Sequence, residues 1–156
     1  MLNLIALATL LIAVPALAES STACAKFLPC ATYSHEGTSD EVGPIARKIS
    51  FLEVGPMQVE LKFSRTRDGV EFYANSLRLD FQENGTFVGS ENGIPKAIGL
   101  CKGNVCTMSA GPLATPRGVL TQVATFSFAP KNLTMHKLNI AADHSTNLLQ
   151  AEFARE

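Results

Sequence analysis

Apolar and polar residues alternate in short runs along most of this chain, and nearly every run ends at a turn signal. Val59, Leu61 and Phe63 interleave with Glu60, Lys62 and Ser64, the period-two signature of a half-buried strand. Ile49 and Phe51 share one face of a run over residues 45–54, with Leu52 and Val54 on the other. Residues 30–34 make an earlier strand anchored by Tyr33. Asp68-Gly69 turns the chain into a run where Val70, Phe72 and Ala74 give way to Leu77, Leu79 and Phe81. That change of phase predicts a bulge near Asn75-Ser76. Asn84-Gly85 is a strong hairpin dipeptide, followed by a short strand over 86–89 and a turn over 90–95. Ala124, Phe126 and Phe128 mark the core face of the run 119–128. On 133–142 the reading places Leu138 and Ile140 inward, and on the last run Leu149, Ala151 and Phe153.

The most decodable stretch is 100–107. Gly103-Asn104 fits a two-residue hairpin turn, which sets Cys101 opposite Cys106 in the non-hydrogen-bonded pair, with Cα atoms roughly 4.5 Å apart. That is at the short edge of the disulfide range of about 4.4–6.8 Å. The turn therefore favours Cys101–Cys106, and elimination leaves Cys24–Cys30. Crossed pairing stays open, because turn counting brings both cysteine regions to one end of the sheet.

These runs predict an all-β domain of about eight to nine antiparallel strands with no long helix. Short successive turns favour an up-and-down meander closed into a small barrel, which also removes exposed edges; a sandwich is the second choice. The architecture is lipocalin-like at the level of the fold alone. A chain without Trp cannot carry the Gly-x-Trp signature of that family, and fold analogy does not carry function. In a meander alternate turns share an end. One end then receives Gly55-Pro56, Asn84-Gly85, Gly103-Asn104 and Pro130-Lys131-Asn132. The other receives the Gly/Pro-rich loops 36–44 and 110–118, the turns at Asp68-Gly69 and 90–95, and the turn from Asp143 to Thr146. Long loops on a rigid scaffold are where binding usually sits, so this second end is the expected functional face. Residues 19–26 read as a polar lead-in, loosely held until Cys24.

Composition adds compartment and exclusions. Residues 1–18 are almost wholly apolar and end in Ala16-Leu17-Ala18, a cleavable export signal; residues 19–156 suit one domain. No later run is apolar enough to span a membrane as a helix. Four cysteines in an exported chain read as two disulfides, periplasmic or secreted, rather than a zinc site. A net charge of −1 without a basic stripe argues against nucleic acid.

Candidate chemistry gathers at the expected functional face. His35, Asp143 and His144, with Glu36 and Asp40 near in sequence, are the residues from which a metal or catalytic site would be built. No tight ligand spacing supports one, no G-x-S-x-G elbow occurs, and no cofactor is implied. Arg67 and Arg117 could hold an anionic group bidentately. Sequons at Asn84 and Asn132 matter only in a eukaryotic host. The reading is therefore a binding protein, not an enzyme. Its partner is a small apolar or amphipathic ligand held in the barrel near His35, Arg67, Arg117, Asp143 and His144. The alternative is a protein-binding module whose loops grip a secreted protein, such as an inhibitor of a secreted hydrolase or an envelope or secreted interaction factor.

Overall fold

Ten alternating runs form ten antiparallel strands in a computed structural model that describes residues 21–39, 43–115 and 118–156. They are β1 (Thr32–Ser39), β2 (Gly43–Gly55), β3 (Gln58–Arg67), β4 (Val70–Phe81) and β5 (Thr86–Glu91). The second half comprises β6 (Ile94–Lys102), β7 (Val105–Thr115), β8 (Gly118–Phe128), β9 (Asn132–Ala141) and β10 (Thr146–Arg155). Each strand pairs with its sequence neighbours, and β1 pairs with β10, so the meander closes into a barrel. The sandwich is excluded, and the strand count is slightly above expectation. The leader 1–18, Asp40 and Arg117 lie outside the described residues.

The turns fall at the two ends as parity predicts. Gly103 takes a positive φ of 61° between Lys102 and Val105, which face each other across a two-residue turn. Below it Cys101 and Cys106 are paired residues joined by a disulfide, their Cα atoms 4.0 Å apart, and Cys24–Cys30 is the second bridge. Crossed pairing does not occur.

Four expectations are corrected. Most of the two expected long loops is strand: Gly37 pairs with Ile45 and Ser39 with Gly43, Leu113 with Leu120 and Thr115 with Gly118, so these residues extend the barrel wall. The backbone groups of a Gly/Pro-rich run are satisfied here by a partner strand of similar composition, which local turn propensity does not anticipate. The bulge in β4 lies at Phe72, where the register shifts between Tyr73 and Glu71, not at Asn75-Ser76. Tyr73 and Asn75 continue the inward alternation of Leu77, leaving Phe72 exposed. On β9 the inward residues are Leu133, Met135 and Lys137, opposite Phe128, Phe126 and Ala124; Leu138 and Ile140 face outward. Finally, the chain is held before Cys24, since Thr22 already caps a helical turn and Ala23 is buried.

That lead-in seals the tight-turn end. Thr22 caps α1 (Ala23–Lys26), accepting from the Ala25 amide, and Ala23 donates its amide to the Pro56 carbonyl at 2.7 Å. Ala23 and Leu28 are buried, and Phe27 stacks on Phe81 with ring centroids 5.4 Å apart. Above this plug, Tyr33, Phe51, Phe126 and Phe128 form an edge-to-face cluster with centroid spacings of 5.3–6.3 Å. Such pairs add about 0.5–1.5 kcal/mol each beyond their buried area. Outward positions carry charge: Glu60 with Lys62, and Arg78 with Asp80. Other outward positions are apolar and exposed, among them Val88, Ile98 and Leu100.

The wall at β5–β6–β7 depends on small residues. A Cβ added at Gly99 would sit 2.1 Å from Phe87 Cζ and 2.5 Å from the Thr107 carbonyl. Gly99→Ala is therefore expected to destabilise the protein by about 1–3 kcal/mol or more. The check is a lower urea midpoint at unchanged slope.

Candidate functional site: a cationic cup in the upper barrel

Ten strands make a wider ring than eight, whose interior is just filled by side chains. Aromatic rings fill the plugged half; the other half keeps a cavity of about 220 Å³. Its floor is apolar: Ile49, Phe63, Leu77, Met108, Met135 and Phe153. The methionines add adaptability, because an unbranched thioether reshapes easily around a guest. Its upper wall is polar and mostly cationic, with Arg47, Arg65, Lys96 and Lys137 against one carboxylate, Glu91. Lys48 also lines the cavity, but its ammonium is engaged by Glu156 at 2.8 Å.

Strand alternation explains the cations. Arg47 lies two residues before Ile49 and Arg65 two after Phe63, so both follow inward apolar residues up the wall, and the register sets them opposite each other. Arg65 lies over the ring of its other neighbour, Tyr73, at 5.1 Å. No carboxylate among the described residues pairs with Arg47, Arg65 or Lys137, and Arg47 Nε is buried without a partner. Asn139 Oδ1 is likewise buried and unpaired; Asn139 is two residues beyond Lys137 on β9. Burial, and then the positive charge of Arg65, push the Lys137 pKa below its ordinary value.

The residues singled out from the sequence are scattered. His35 is at mid-height, its ring 5.4 Å from that of Phe153. Its Nδ1 lies 2.7 Å from the Glu152 carbonyl and donates to it in the tautomer that makes this bond. This side-chain bond takes over where the β1–β10 ladder stops, after Tyr33 opposite Arg155 and Ser34 opposite Ala154. Nε2 lies beside Gly37, where an added Cβ would sit 3.1 Å from it. His144 sits in the β9–β10 turn at a positive φ of 65°. At about 3.3 Å per residue, the six steps along β10 from Glu152 to Thr146 separate the two histidines by roughly 20 Å. Asp143 shapes that turn: its carboxylate accepts from the Ser145 hydroxyl at 2.6 Å and amide at 3.0 Å, which hold its pKa below the usual carboxylate value. Arg67 stays at the mouth, 5.2 Å from the ring of Phe72, with its Nε buried and unpaired. Among the described residues no group of three His, Cys, Asp or Glu could hold a metal ion.

Arg47 and Arg65 could have been found by carrying the alternation one step past Ile49 and Phe63. Lys137 could not, because the apolar Leu138 and Ile140 favour the opposite phase. Outside the barrel, a groove of about 480 Å³ lined by Val54, Glu60, Arg78 and Asn92 is open to solvent and has no apolar floor. A comparison with protein families, curated proteins and solved structures finds no match to this chain.

A lysine with a depressed folded-state pKa binds fewer protons folded than unfolded, so its contribution to stability rises with pH above that folded value. At neutral pH the charged Lys137 opposes folding. Lys137→Met is expected to melt higher than the parent at neutral pH, and the gap should narrow as pH climbs toward the ordinary lysine pKa. Melting curves of both proteins across that range check it.

Proposed function

We propose that this protein is an exported, non-enzymatic binding protein that holds a small amphipathic molecule inside its barrel. The observation that carries this reading is the interior cavity, with an apolar floor and a polar wall open toward the mouth. Pockets for drug-sized ligands span roughly 300–1,000 Å³. A space of about 220 Å³ favours a slim guest, such as a single chain, over a fused-ring one. The apolar leader and two disulfides support a periplasmic or secreted setting, where oxidised cysteines persist.

Native mass spectrometry of the protein purified mildly from its own host tests this reading. The expected result is a small co-purifying mass that is lost on denaturation. Ala110 is buried and lines the cavity, so Ala110→Phe should fill the space and abolish that mass. A bare protein in both cases would count against a carrier.

One observation favours a second reading, a protein-binding module. Apolar side chains are exposed at the mouth, among them Phe72 at 51% and Ile94 at 58%. Large exposed apolar side chains grouped at one end suit a partner surface. If the barrel is a carrier alone, Phe72→Ser with Ile94→Ser leaves the co-purifying mass unchanged. If the mouth grips a protein, the double substitution releases a macromolecular partner from the purified material.

A further inference from the structure

The chain carries 13 basic and 14 acidic residues and a net charge of −1, so a cluster of one sign has to be made by the fold. The upper cavity is such a cluster. Arg47 and Arg65 are direct cross-strand partners, and like charges in that position destabilise a sheet. Lys137 comes from the far wall, on β9, close enough to Arg65 to feel its charge. Arg47 Nε is buried with no acceptor. These like charges oppose folding of the empty protein, and among the described residues none of the three forms an ion pair, Glu91 being the one carboxylate on that wall. An anion placed among them would remove the repulsion and supply the missing acceptor. Hydrogen bonds to charged groups are the stronger kind, and guanidinium forks match a planar carboxylate.

The floor beneath them is hydrocarbon. Phe63 lies two residues before Arg65 on the same strand face, and Ile49 two after Arg47. A ligand spanning both zones has a slim apolar tail and one anionic end. We propose that the barrel is a site for single-chain anionic amphiphiles, with the carboxylate or equivalent head held by Arg47, Arg65 and Lys137 and the tail on the floor of Ile49, Phe63, Met108 and Phe153. This rests on the carrier reading and adds the polarity and orientation of the guest. The head lies toward the mouth, and binding weakens as salt rises, since the cation cluster is partly open to solvent.

The test is isothermal titration of the purified, ligand-stripped protein with decanoate, decanol and decylamine, which share a chain and differ in head charge. Decanoate is expected to bind at least about tenfold more tightly than decanol, and decylamine least. Arg65→Gln and Lys137→Gln should each weaken decanoate by about tenfold and leave decanol nearly unchanged. Both substitutions remove a repulsive charge, so the variants should melt no lower than the parent. Equal binding of decanoate and decanol, both lost in Ala110→Phe, overturns the anionic head while the carrier reading stands. Binding of none of the three overturns both.

Discussion

Closing ten strands into one ring creates an interior that a single layer of side chains does not fill, and the rest of the molecule answers that constraint. Barrel width grows with strand number, while empty apolar space costs packing energy. In the plugged half the answer is mass: α1, Phe27 and Leu28 enter from below, and Tyr33, Phe51, Phe126 and Phe128 meet across the axis. One local contact shows how tight this is, since Phe87 occupies the space where Gly99 has no side chain. In the other half the answer is a cavity, and its walls carry charge where packing demands nothing.

That division explains why the mouth is electrostatically frustrated while the base is not. Charged side chains on the outside find partners or water, as with Lys26 and Glu83 or Lys62 and Glu60. Arg47, Arg65 and Lys137 face a partly dry space with each other for company. A group held this way lowers the stability of the empty protein and raises its affinity for an anion by the same interaction. The closing seam belongs to the same half. Beyond Ser34 and Ala154 the paired positions of β1 and β10 give way, among the described residues, to the His35–Glu152 side-chain bond. His35 thus ties β1 to β10 through the Glu152 carbonyl.

Much of this was legible in the chain. Alternation with short turns specified an all-β meander, because each strand must bury one face and each tight turn forces an antiparallel neighbour. The Gly103-Asn104 turn specified the Cys101–Cys106 pair, since two residues of turn leave no freedom of register. Turn parity assigned the two ends for the same reason. These are consequences of local geometry, where residues near in sequence settle the outcome.

Tertiary structure decided the remainder. Whether 36–39 and 110–115 were loop or wall depended on the strands they pair with, not on their Gly and Pro content. The phase of β9 was set by its neighbours, which put Lys137 inside and Leu138 outside against the apolar pattern. His35 and His144 fell about 20 Å apart because height in a barrel depends on register around the whole ring. The cation cup has the same origin. Its members come from β2, β3, β6 and β9, and only closure of the sheet brings their inward faces onto one space. The chain by itself determined which residues alternate and where it turns; the closed ring decided which charges share a cavity, because that sharing is a long-range relation no local pattern encodes.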